Sequence, residues 1–200
     1  MDYVISILPQ MWEGTLETIR LFAITIVLSI PLGVLLALGR VSGFKALRDI
    51  IGVYVWLLRG TPLMLQIFAI YFAIPTLTGV NLDRMNATIL AFSINYAAYF
   101  AEIFRGGIQS IPVGQHEASQ VLGMTRGQTF FHIILPQVMK RVLLPISNEV
   151  ITLVKDTSLA SVIGTVPVGT TVKVLEKTTD WTKVEVNGQT GYISTWFLKF

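Results

Sequence analysis

Long apolar runs without a charge alternate with short polar segments along most of the chain, and the pattern changes after Gly164. Residues 21–39 give nineteen positions without a charge, residues 60–82 twenty-three, and residues 85–101 seventeen. About twenty helical residues at about 1.5 Å rise cross a hydrocarbon core of about 30 Å, so each run predicts a membrane-spanning helix. A fourth span is predicted at 142–154, apolar except for Glu149, and reaches sufficient length only by taking in residues 136–141. The alternative for this segment is a helix packed among other helices, which tolerates a polar side chain that lipid would not. The expected fold is mostly α, a polytopic membrane helical bundle of about four spans.

Residues 165–200 contain no apolar run. Val172-Lys173-Val174 and Thr182-Lys183-Val184-Glu185-Val186 alternate with a period of two, which suits half-buried strands. Asn187-Gly188 between two such segments predicts a two-residue hairpin, since both positions tolerate positive φ. Two domains are expected: a membrane domain at 1–164 and a small all-β module at 165–200.

Composition agrees with the membrane reading: 52% of residues are hydrophobic and 14% charged, with a mean hydropathy of +0.64, against roughly a quarter charged in soluble chains. A secretory signal is not expected, because no Lys or Arg precedes Arg20 and the first apolar run is too long. Cysteine is absent, which excludes disulfides and thiolate metal sites. His116 and His132, the only histidines, are poor metal ligands without further donors. No nucleophile–base pair or close carboxylate pair suggests an enzyme, and arginine-rich patches for nucleic acid are absent.

The placement of charge predicts orientation. Arg40, Lys45 and Arg48 follow the first run, and Arg105, Arg126, Lys140 and Arg141 crowd the third connection. Only Arg20 and Arg84 lie on the opposite side, so seven cations face two. The positive-inside bias makes the first and third connections cytoplasmic. The N-terminus and, after four spans, the C-terminal module are then expected outside the cell membrane.

The third connection carries the functional signal. Glu117-Ala118-Ser119-Gln120-Val121-Leu122-Gly123 is followed by nine residues and then Ile133-Ile134-Leu135-Pro136. This resembles the EAA loop of ABC importer permeases, with one departure, Ser119 in place of the second alanine. In that family the loop forms two short helices joined at the glycine and docks on a cytoplasmic ATPase. The resemblance assigns ATPase coupling to Glu117, Ala118, Ser119, Gly123, Ile133, Leu135 and Pro136. The residue types fit independently: Ala118 and Ser119 are small, Gly123 can end a helix in the left-handed conformation, and Pro136 suits the first turn of the next helix.

Other segments resemble the polar amino-acid uptake branch of that family: Arg59-Gly60-Thr61-Pro62-Leu63, Tyr99-Phe100-Ala101-Glu102-Ile103-Phe104-Arg105-Gly106-Gly107, and Asn148-Glu149 followed by residues 153–161. The resemblance covers about residues 8–164. It implies import of a polar amino acid delivered by an extracellular binding protein, with a second permease subunit completing the pathway and lipid surrounding the bundle. The chain has no Gly-x-x-x-x-Gly-Lys-Ser/Thr loop, so it is expected to bind no cofactor itself, and ATP belongs on a partner subunit.

Polar groups within spans are costly unless they face one another or water. Asn95, Tyr99 and Glu102 share one face of the third span, and Asn148, Thr152 and Lys155 share one face of the fourth. With Gln66 on the second span, these are the candidate pathway-lining residues. The alternative is interhelical hydrogen bonding or ion pairing, with Arg59 paired to Glu149 or Glu102 as a gating or structural contact.

The tail resembles the bacterial SH3-like (SH3b) domain through residues 166–176, Asp180-Trp181-Thr182-Lys183-Val184 and Asn187-Gly188-Gln189-Thr190-Gly191-Tyr192-Ile193. That family binds peptidoglycan, and Trp181, Tyr192 and Trp196 are candidates for a wall-binding face or for a small core. Two departures stand out: the fifth span of the permease family and the first strand of the SH3b family are both missing. A truncated permease joined to a partial SH3b module is therefore expected. The alternatives to an import permease are a membrane-anchored wall-binding protein and a non-functional truncated fusion.

Overall fold

A computed structural model describes residues 2–80, 82–164, 171–177, 181–186 and 189–194. It divides into two compact units, Met1–Gly164 and Thr165–Phe200.

The first unit is helical. Helix α1 (Asp2–Val41) buries Leu21, Thr25, Ser29, Gly33 and Ala37 at intervals of four, so one narrow stripe of mostly small residues faces the rest of the unit. The stripe packs on α5 (Arg84–Gln109), which buries residues around much of its circumference and forms the centre of the unit. Small residues let two helix backbones approach closely where lipid offers no hydrophobic drive. Gly33 shows how close: an added Cβ would stand 2.6 Å from the Phe100 Cβ and 3.2 Å from the Ala97 carbonyl oxygen.

Helix α2 (Lys45–Gly60) occupies what the charge pattern suggested was only a connection. Lys45, Arg48, Asp49 and Arg59 interrupt the apolar run, yet Ile51, Val55 and Leu58 recur at helical spacing and are buried. The second predicted span, 60–82, is shorter in the structure. It comprises α3 (Leu63–Phe68), a π-helical turn (Ala69–Ala73) and α4 (Ile74–Thr78). Hydropathy does not register its two stop signals: Thr61 is extended before Pro62, and Gly79 takes φ +73°. The chain turns by 108° between Lys45–Gly60 and Leu63–Thr78.

A short helix α6 (Val113–Val121), a single turn α7 (Arg126–Gln128) and a π-helical segment (Thr129–Ile134) lead into α8 (Leu135–Asp156). A 3-10 helix follows over Thr157–Gly164. Among the described residues three helical stretches are long and apolar enough to cross a membrane, Met11–Val41, Arg84–Gln109 and Arg126–Ala160, and the bent pair makes a fourth if counted as one span.

The second unit contains a three-stranded antiparallel sheet in the order β1 (Lys173–Lys177), β2 (Trp181–Val186), β3 (Gln189–Ser194). Thr182 and Val184 are buried while Lys183 and Glu185 are half-exposed, the alternation expected of a strand with one covered face. Lys173 stands opposite Glu185 and pairs with it at 3.6 Å, and a bulge interrupts β1 between Val174 and Glu176. Val186 pairs with Gln189, and the predicted turn residues 187 and 188 between them lie outside the described residues.

Candidate functional site: a helical loop and two polar clusters

The α6–α7 loop is built by local rules. Gly123 adopts φ +72°, its N–H donates to the Gln120 carbonyl at 2.9 Å, and the Met124 N–H donates to the Ser119 carbonyl at 3.0 Å. These are the two bonds of a Schellman cap, which ends α6 by giving its last carbonyls donors. Thr125 then starts α7 with a capping box: its hydroxyl accepts from the Gln128 N–H at 3.3 Å, and the Gln128 side chain accepts from the Thr125 N–H at 2.9 Å. The turn is therefore rigid on both sides of Gly123.

Long-range bonds fasten this loop to the bundle. Gln137 Nε2 donates to Gln115 Oε1 at 3.2 Å, and Arg141 donates to the Ser110 carbonyl. Ser119 is 2% exposed, and its hydroxyl lies 3.0 Å from that of Thr129. Glu117 and Ala118 stand on the exposed side of α6. Around them Val113, Val121, Leu122 and Phe131 are 70%, 88%, 77% and 65% exposed, an apolar patch of the kind that marks an interaction surface. A notch of about 290 Å³ opens beside the turn between Leu122, Gly123, Met124, Gln128 and His132. Ile133 and Leu135 are half-buried on either side of buried Ile134, and Pro136 falls in the first turn of α8.

At the α2–α3 break a buried amide cluster repairs the backbone. Gln66 Nε2 donates to the Leu58 carbonyl at 2.8 Å, the Thr61 carbonyl at 3.1 Å and the Thr61 hydroxyl at 2.9 Å. Asn95 Nδ2 donates to Gln66 Oε1 at 2.9 Å and to the Leu58 carbonyl at 3.2 Å. Carbonyls freed by a broken helix need such partners where water is scarce. Gln66 and Asn95, both buried, are thus bonded to each other and to the break.

Glu102 centres the second cluster. Arg105, one turn on, donates to it through Nε at 3.0 and 3.1 Å and through Nη2. Arg40 from α1 stands 3.6 Å away and Arg59 from α2 3.9 Å away, and the Arg59 guanidinium lies 5.1 Å from the centroid of the Tyr99 ring. One carboxylate therefore ties together the ends of three helices. Among the described residues Arg59 makes no ion pair with Glu149, which is half-buried on α8. Asn148, Thr152 and Lys155 are exposed along one side of α8, with the Thr152 hydroxyl donating back to the Asn148 carbonyl at 3.0 Å.

Several participants escaped the sequence reading. Arg40 counted only as an orienting charge, although the Arg105 partnership was visible as an i, i+3 pair with Glu102. Tyr96 donates its hydroxyl to Asp156 at 2.7 Å, joining α5 to the end of α8, and a buried tyrosine needing a partner was its signal. No group of three or more metal-ligating side chains occurs among the described residues. In the second unit Trp181 and Tyr192 fall on β2 and β3, and Trp196 lies outside the described residues.

Comparison with known proteins agrees with this architecture. The L-cystine transport system permease protein TcyB of Bacillus subtilis (strain 168) is 42% identical over 156 residues, 78% of this chain and 66% of that relative. This chain thus spans about two thirds of its length. The arginine transport system permease protein ArtQ of the same organism is 38% identical over 157 residues, covering 78% of this chain and 72% of the relative. Among solved structures, a chain from a crystal structure of an amino acid ABC transporter with histidines matches with a TM-score of 0.76 at 33% identity, over 82% of this chain and 76% of that one. The family model for the inner membrane component of binding-protein-dependent transport systems matches residues 29–183, and the chain belongs to that family.

Proposed function

We propose that this chain is the membrane-spanning subunit of an ATP-driven importer for a polar amino acid. In this reading a separate cytoplasmic ATPase docks on the α6–α7 loop, an extracellular binding protein delivers substrate, and a second permease subunit completes the pathway. The observation that carries the reading is the rigid turn at Gly123 flanked by exposed Val121 and Leu122, with Glu117 on the same short helix. A surface that must transmit motion has to be stiff internally and apolar enough to bind, and this loop has both properties. The cystine, arginine and amino-acid names of the relatives support a polar amino-acid substrate.

The positive charges at Arg40, Lys45, Arg48, Arg126, Lys140 and Arg141 support a cytoplasmic position for the loop and an extracellular N-terminus and C-terminal module. Tyr99, Asn148, Thr152 and Lys155 remain the candidate pathway-lining groups, because none is fully enclosed by this chain. Gln66 and Asn95 are better read as structural. The test is reconstitution of the full chain with an ATPase and binding protein in proteoliposomes. Glu117→Ala and Gly123→Val should retain the protein in the membrane but uncouple ATP hydrolysis from uptake. Unchanged uptake in both variants overturns the coupling role.

A second reading concerns the tail. Residues 165–200 are proposed as a partial SH3b-like module joined to the permease helices, and the antiparallel order β1-β2-β3 supports a small β module. The division into compact units at Gly164 supports that boundary, while the permease family match runs on to residue 183. Sedimentation of the full chain with purified peptidoglycan, compared with Trp181→Ala and Trp196→Ala, tests the wall-binding role. Proteoliposome uptake tests whether the chain transports at all.

A further inference from the structure

Three guanidinium groups gather on Glu102, so cationic side chains outnumber the carboxylate within ion-pair distance. Arg105 holds the carboxylate closely, whereas Arg40 and Arg59 reach it only at 3.6 and 3.9 Å. Arg40 Nε is shielded from solvent and has no hydrogen-bond partner. Arg40 Nη1 donates to the Arg48 carbonyl at 3.3 Å, the Arg59 guanidinium stands 5.1 Å from the Tyr99 ring centroid, and Glu149 on α8 lies beyond ion-pair distance of Arg59. Excess charge in a partly desolvated site is costly unless an anion joins it.

A cleft of about 410 Å³ lies where that anion would enter, lined by Arg40, Gly52, Trp56, Arg59, Tyr99 and Glu102. Gly52 lines it without a side chain, and an added Cβ would stand 2.7 Å from Arg40 Nη1 and displace that guanidinium. Two guanidiniums converging on one opening suit a phosphate group, whose oxygens accept their parallel N–H donors. Beside the cleft the α2 surface is apolar: Val53, Trp56 and Leu57 are 63%, 74% and 51% exposed and adjacent at helical spacing. A cationic recess bordered by exposed tryptophan and aliphatic side chains matches a ligand with an anionic head and an apolar body.

We propose that the cleft between α1, α2 and α5 binds the phosphate headgroup of an anionic phospholipid, with Arg40 and Arg59 as its ligands. The acyl chains then run along Val53, Trp56 and Leu57. Occupancy supplies the missing negative charge and braces the three helix ends already joined at Glu102.

The full chain purified in detergent and titrated with dioctanoyl phosphatidylglycerol, followed by native mass spectrometry, tests this. One saturable equivalent is expected, bound at least tenfold tighter than dioctanoyl phosphatidylcholine. Arg59→Gln should weaken it at least tenfold. Gly52→Leu should do so too with every charge retained, which covers the case in which Arg40→Gln fails to fold. Equal affinity for the two lipids overturns the proposal, as does undiminished binding by monodisperse Arg59→Gln and Gly52→Leu proteins. Displacement of the lipid by an equal concentration of inorganic phosphate identifies free phosphate as the ligand and overturns the lipid assignment.

Discussion

The buried hydroxyls of Ser119 and Thr129 lie 3.0 Å apart, joining α6 to the π-helical segment that leads into α8. Ser119 also donates to the His116 carbonyl at 2.8 Å. Ser119 is the one departure from the Glu-Ala-Ala pattern, and the structure gives it a partner ten residues away. Restoring alanine leaves the Thr129 hydroxyl buried without that bond. Ser119→Ala should therefore destabilise the protein by about 1 kcal/mol, whereas Ser119→Ala with Thr129→Val should recover much of the loss. Thermal unfolding of the four proteins of this double-mutant cycle in detergent measures the coupling, and strictly additive effects would exclude it.

Gly123 carries the turn. A residue with a Cβ at φ +72° costs about 1–2 kcal/mol. That strain acts on the Schellman bonds to Ser119 and Gln120 rather than on the membrane helices. Gly123→Ala is expected to increase amide hydrogen exchange across residues 113–128 while leaving that of α5 unchanged. A uniform increase throughout the chain would argue against a locally held turn.

How much of this was readable in advance differs by element. The apolar runs locate α1, α5 and α8 because lipid-length helices need little beyond composition. Helix α2 was hidden by its own charges, since Arg48, Asp49 and Arg59 broke the run while the buried Ile51, Val55 and Leu58 kept helical spacing. The second span came out too long because hydropathy treats Pro62 and Gly79 as neutral, although each stops a helix. Motif spacing found the turn at Gly123. The Ser119–Thr129 and Tyr96–Asp156 bonds depend on tertiary approach, and nothing in a one-dimensional pattern fixes which hydroxyl meets which partner.

The contact between α1 and α5 at Gly33 makes a sharper stability prediction. The obstacle to a Cβ there is Phe100 Cβ together with backbone atoms of Ala97 and Ala101, none of which can swing aside. Gly33→Ala must push the helices apart and should cost about 1–3 kcal/mol, as overpacking does. Gly14 on the same helix meets nothing within 4 Å, so Gly14→Ala should be neutral or stabilising by about 0.5–1 kcal/mol. A fall in melting temperature is expected for Gly33→Ala and none for Gly14→Ala.

At the Glu102 cluster the carboxylate matters more than any one arginine. Glu102→Gln leaves Arg40, Arg59 and Arg105 without their common negative partner and should cost up to about 3 kcal/mol. Arg59→Gln should have a small effect, under about 1 kcal/mol, because that contact is 3.9 Å long and the Arg59 side chain is 43% exposed. Chemical denaturation in detergent micelles gives the ranking, and a larger loss for Arg59→Gln than for Glu102→Gln would reverse the assignment.

The Gln66–Asn95 cluster separates a structural role from a transport role. Asn95→Ala leaves Gln66 Oε1 without a donor in a buried site and removes one donor from the Leu58 carbonyl. The loss should be about 1–3 kcal/mol, the cost of an unsatisfied buried group. Asn95→Leu with Gln66→Leu removes both amides, yet the Leu58 and Thr61 carbonyls at the 108° break then lose their donors. The double variant should therefore be no more stable than Asn95→Ala, unlike an isolated buried pair replaced by apolar groups. If these amides lined the pathway instead, substrate preference would change at constant stability. Unfolding measurements beside competition uptake assays in the same proteoliposomes distinguish the two, and reduced stability with unaltered preference is the outcome this geometry requires.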